Sequence, residues 1–129
     1  MTKALLVPCS ELEAVQLIDI GRPAQHLERL QELVGGSIEF ASYDLDADCV
    51  LDGDGLAKRR ALNVRATRYI FSGSDAAKQG RITEADRGFY YLVGNAVFTG
   101  LPDARGDITD VPARLVAEFG LTLNQGRTL

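Results

Sequence analysis

The chain has 129 residues, 46% of them apolar and 25% charged, and its 14 Lys+Arg against 18 Asp+Glu leave a formal net charge of −4. This suits one globular domain with its own core, because domains usually take about 100–200 residues. No apolar run approaches the ~20 residues of a membrane-spanning helix, and the negative balance has the wrong sign for a general binder of nucleic-acid backbones.

Lys3 to Val7 predicts a short buried strand ended by Pro8, which cannot continue a sheet interior. Leu12 to Ile20 alternates imperfectly and is read as a second strand. Pro23 fits a first helical turn, where its missing N–H costs nothing. Leu27, Leu30, Leu33 and Val34 then recur at helical spacing, with Glu28, Arg29, Gln31 and Glu32 on the other face. Gly35-Gly36 predicts a left-handed stop to this helix. Ser37 to Tyr43 alternates as a half-buried strand, and Cys49 to Leu51 is another, ending in the turn residues Asp52-Gly53-Asp54-Gly55.

From Leu56 to Phe71 the pattern is ambiguous, with Asn63 able to open a turn and Arg68 to Phe71 favouring a strand. Ser72 to Gly80 reads as a surface loop. Phe89 to Thr99 is expected to be the most buried β region, bent at Gly94-Asn95. Leu115, Val116 and Phe119 predict a final amphipathic helix stopped by Gly120, and residues 120–129 a frayed tail. About five mostly antiparallel strands with two helices make an α+β domain over residues 1–129, its core within about 3–119.

The opening segment lacks the apolar stretch of ~7–15 residues and the cleavage site of a signal peptide, which predicts a cytoplasmic setting. Cys9 and Cys49 are then expected to stay reduced. Eleven Arg against three Lys is the bias of GC-rich coding and points to a high-GC bacterium or its phage.

LQELVGGSIEF at Leu30 to Phe40, the Asp-Gly turn at Asp52 to Gly55, NVRAT at Asn63 to Thr67, LVGNAVFTG at Leu92 to Gly100 and DITDVPARLVAEFG from Asp107 occur in that order. They resemble a family of small proteins of unknown function from actinobacteriophages, other phages and bacterial mobile elements. The resemblance covers roughly residues 3–119 and implies a fold and a source; it carries no activity. Two departures stand out: Ser72 to Gly88 is longer than in that pattern, and Lys58-Arg59-Arg60 replaces a more neutral stretch.

Five Asp residues crowd positions 44 to 54. From Asp44 they match the first, third and fifth positions of a calcium loop, but Cys49 stands where the sharp turn needs Gly, and Gly55 where a bidentate Glu belongs. The expectation is a solvated hairpin face, and no metal site is read.

Lys58, Arg59, Arg60, Arg65 and Arg68 form a basic run. Arginines clamp phosphate or carboxylate bidentately, so Arg60, Arg65 and Arg68 suit one small anion or an acidic partner; the other reading is simple pairing with the preceding Asp residues. Asn63 and Thr67 can serve the backbone locally, or Asn63 and Arg65 can border a cleft. Tyr90 and Tyr91 must face opposite ways if extended, which leaves Tyr91 a candidate interface anchor. Cys9 and His26, the one His, show no spacing that makes them a catalytic pair, and no zinc or glycine-rich phosphate motif is present.

These features predict a non-enzymatic accessory protein without a cofactor, acting on a host protein or on itself through Asn63, Arg60, Arg65, Arg68 and Tyr91. The alternative is a small-ligand binder that sequesters a phosphorylated metabolite or nucleotide through the arginines.

Overall fold

The protein is described by a computed structural model covering residues 1–122. The elements are β1 (Lys3–Val7), β2 (Gln16–Asp19), α1 (Pro23–Val34), β3 (Ile38–Ala41), β4 (Ala47–Asp52), α2 (Val64–Ser72), α3 (Asp75–Lys78), β5 (Ala96–Gly100) and α4 (Ala113–Glu118). The five strands form one antiparallel sheet in the order β2-β1-β5-β4-β3. Two hairpins lie at its edges, and the last strand in sequence fills the gap between them. The α+β expectation holds.

Helices cover both faces of the sheet. Leu30 and Val34 of α1 pack against Ala4, Val50 and Val97 on one side. Ala66, Tyr69 and Ile70 of α2 and Leu115 and Val116 of α4 pack against Leu5, Val7, Cys49, Ala96 and Phe98 on the other. This is why β5 is buried at every position and carries no polar alternation. Tyr69 meets Phe98 edge to face at 5.4 Å, an arrangement that joins α2 to the sheet centre.

Several local expectations are corrected. The second strand begins only at Gln16, since Leu12 is 98% exposed in a turn. Along α1, His26 is buried while Leu27 is exposed, so the core-facing stripe lies one residue aside from a purely aliphatic reading. Arg68 to Phe71 is helix, because Asn63 caps α2 and the residues facing the sheet, Ala66, Tyr69 and Ile70, follow helical spacing. The expected loop at Ser72 to Gly80 contains α3, capped by the buried Ser74, whose Oγ accepts from Ala77 N at 3.2 Å.

Phe89, Tyr90 and Tyr91 are exposed, and the strand starts at Ala96; the aromatics leave the core because Leu92 and Phe98 occupy it. The hairpin that involves the Asp run is β3–β4, and its turn precedes β4. Asp44 and Asp52 are buried with partners instead of lying on a solvated face. The final helix ends as expected before Gly120, at φ +78°; of the frayed-tail expectation, residues 123–129 lie outside the described residues. Among the described residues, no helix is long and apolar enough to cross a membrane.

Candidate functional site

The C-terminal ends of β1 and β4 and the start of β5 meet at one end of the sheet, and the long excursion between β4 and β5 folds over that end. Its base is a small antiparallel pair: Leu62 bridges Val93, with Asn63 N donating to Leu92 O and Gly94 N to Ala61 O, each at 2.8 Å.

Asn63, wholly buried, is the keystone. Its Oδ1 accepts from Ala66 N at 3.0 Å to cap α2, while Nδ2 donates to Val7 O and to Gly94 O, both at 2.9 Å. Every polar atom of the amide is thus used on backbone, which makes its role one of construction. Thr67, one turn further, is a helix residue and not a turn cap: its Oγ1 accepts from Leu92 N at 3.0 Å and so holds α2 to the base.

The basic run is divided. Asp52, its side chain only 1% exposed, accepts from Lys58 Nζ at 2.9 Å and Arg60 Nε at 2.7 Å. With a further bond from Asp54 N, Lys58 and Arg60 pull its carboxyl down to about 2. Lys58 and Arg60 also donate to Gly35 O at the end of α1, where the helix dipole favours positive charge. Pairing with an Asp is therefore what the structure shows for Lys58 and Arg60.

Arg65 instead donates from Nη2 to Pro8 O and Ser10 O, each at 2.8 Å. Arg68 stands one turn along α2 and shares a shallow depression of about 470 Å³ with Arg65, Glu118 and Phe119. Arg60 does not line that depression, so the three arginines form no single anion site.

Arg60 and Tyr91 do come together in a separate groove of about 600 Å³, lined also by Leu56, Arg59, Leu62, Thr67, Phe71, Arg87, Tyr90 and Val93. Leu56 is 67% exposed and Leu62, Tyr90 and Tyr91 between 44% and 49%, so a band of large apolar surface faces solvent. Arg87 lies 4.9 Å over the Phe71 ring and is held by Glu84, which accepts from its Nε at 2.5 Å. Arg59 makes no side-chain hydrogen bond or ion pair with any described residue. It is also the one non-glycine residue among those described with positive φ, at +56°.

Sequence reading missed Phe71 and Arg87. Helical spacing from Thr67 places Phe71 on the same face of α2, a signal hidden by reading this stretch as a strand.

The thiol candidates do not make a catalytic pair. Cys9 Sγ donates to Ala61 O at 3.1 Å beside the C-terminal end of β1. His26 Nε2 lies 3.1 Å from Thr2 Oγ1 at the strand's other end, roughly 16 Å away at strand rise. Burial pushes the Cys49 thiol far up, which keeps it protonated. The acidic run is likewise structural: Asp44 accepts from Tyr69 Oη at 2.9 Å and Asp75 N at 2.9 Å, and Arg114 bridges Asp44, Asp46 and Asp75. Among the described residues no group of three or more His, Cys, Asp or Glu is placed to hold a metal ion.

In comparison with known proteins, residues 1–124 match the family described as Domain of unknown function (DUF3846). No curated protein and no solved structure gives a significant match.

Proposed function

Starting from a chain that belongs to the DUF3846 family, a domain of unknown function, we propose that it is a non-enzymatic binding module whose groove holds a segment of a partner protein. One observation carries this reading: the half-exposed band of Leu56, Leu62, Tyr90 and Tyr91 set in a groove of about 600 Å³. Apolar patches of this kind, rich in Tyr and Arg, are the usual anchors of protein interfaces. Among the described residues the lining holds no carboxylate, imidazole or thiol, and its one aliphatic hydroxyl, of Thr67, is bonded to Leu92 N. Recognition is thus the chemistry these side chains support. The motif resemblance extends the proposal to an accessory protein of a phage or mobile element, working in the host cytoplasm on a host protein or on a second copy of itself.

A phosphorylated small ligand draws less support, since Arg60 is separated from Arg65 and Arg68 and Glu118 borders the latter pair.

Selection of a displayed library of random short peptides on the purified protein tests the reading, with sedimentation to register self-association. Enriched peptides, or a dimer, should be lost in Leu62→Ser and in Tyr91→Ser variants of unchanged thermal midpoint. Neither enrichment nor self-association, or both unaltered in the two variants, would sink it.

A further inference from the structure

We infer that the segment accepted by the groove is acidic as well as apolar, with large side chains against Leu62, Tyr90 and Tyr91 and a carboxylate on Arg59; the inference rests on the binding reading above. Among the described residues, the groove lining contains Arg59, Arg60 and Arg87 and no acidic residue. Arg60 is spent on Asp52 and Gly35 O, and Arg87 on Glu84 and the Phe71 face. Arg59 alone of the three has no described partner.

Its placement is enforced from both sides. Lys58 and Arg60 are drawn to the buried Asp52, and Lys58 N, Arg59 N and Arg60 N donate to Asp54 O, Leu56 O and Gly55 O. Between those anchors Arg59 is held at φ +56°, a conformation that non-glycine residues adopt at a cost. A free guanidinium beside an apolar surface binds a carboxylate more strongly than one in open water, because the local dielectric is lower.

The floor adds a second restriction. Asn63 N and Gly94 N are already bonded across it, so recognition there falls to side chains and not to an added strand. The overall charge of −4 also disfavours a long polyanion, which the remaining surface repels, while a short acidic segment meets only the local positive rim.

The deciding experiment selects random short peptides on the wild type and on Arg59→Glu, after matching their thermal midpoints. Wild-type selection should enrich peptides that combine Asp or Glu with large apolar residues. Their affinity should drop about tenfold or more in Arg59→Glu, the usual effect of losing a charge-assisted hydrogen bond. Arg59→Gln should also weaken them, and added salt should weaken wild-type binding. Enriched peptides with no acidic excess, or with equal affinity for Arg59→Glu, would overturn this inference while leaving the groove reading intact. A selection that enriches nothing would overturn this inference, and together with an absence of self-association in sedimentation it would overturn the groove reading as well.

Discussion

At Asn63 one amide serves backbone from three segments: the first turn of α2, the end of β1 and the Gly94 bend. Removing it costs a helix cap of about 0.5–2 kcal/mol and leaves two buried carbonyls without a donor, each at about 1–3 kcal/mol. Asn63→Ala should therefore lose about 3 kcal/mol or more, read as a lower midpoint in urea unfolding. A loss well under about 1 kcal/mol would show that water replaces the amide. Arg59 poses the opposite case. Arg59→Gly removes left-handed strain of about 1–2 kcal/mol but loosens the unfolded chain by about 0.4–1 kcal/mol. Its stability should stay within about 1 kcal/mol of wild type, whereas the groove's affinity for its selected peptides should fall. A strong destabilisation would mean that the arginine side chain holds the loop together. The resemblance had marked Lys58-Arg59-Arg60 as a departure from pattern, yet sequence could not say which cation was free. That depended on Asp52, whose burial only the fold supplies.

Between elements, the junction of α1 with the loop after β4 explains the double glycine. Gly35 has φ +80°, and a Cβ there would stand 2.8 Å from Arg60 Nη2. Gly36 is not left-handed; it is needed for room, since its Cβ would meet Lys58 Nζ at 2.5 Å and Asp52 Oδ1 at 2.7 Å. Gly35→Ala should cost about 1 kcal/mol or more in thermal or urea unfolding, through strain and through displacement of Arg60. The same junction is pH-dependent. Lys58, Asp54 N and Arg60 lower the Asp52 carboxyl to about 2 in the folded protein, against an ordinary value of about 3.9 when unfolded. A lowered folded-state pKa stabilises above the unfolded value, and that stabilisation is lost as pH falls from about 4 towards 2. Asp52→Asn should thus be less stable than wild type at neutral pH, with the difference narrowing across that window. Urea midpoints at neutral pH and near pH 2 check this, and a constant difference would refute the assignment.

For the whole molecule, Arg114 carries α4 onto the rest of the fold. It bonds Asp46, approaches Asp44 at 3.3 Å and Asp75 at 3.6 Å, and donates to Tyr69 Oη at 3.2 Å. The Asp44 side chain is 2% exposed, so Arg114→Met would strand a buried carboxylate, a change that typically costs about 3–5 kcal/mol. Guanidinium titration of this variant should show a loss of that order; a near-neutral outcome would mean that Tyr69 and Asp75 N satisfy Asp44 unaided. Local chemistry alone determined a good deal of this protein. Lys3–Val7, α1 with its glycine stop, the α4 stretch and the α+β class follow from apolar spacing, proline and glycine, which act within a few residues of chain. Tertiary structure decided the rest. β5 arrives last in sequence yet lies between β1 and β4, so the two edge hairpins are joined by pairings far apart along the chain. Asp44 lies inside against Tyr69, Asp75 N and Arg114, and Asp52 against Lys58 and Arg60, while Tyr90 and Tyr91 stay at the surface. Composition had suggested the reverse for both, because burial is set by which partners the sheet brings within reach: a carboxylate goes inside once cations and donors meet it there, and an aromatic stays out once the core is filled.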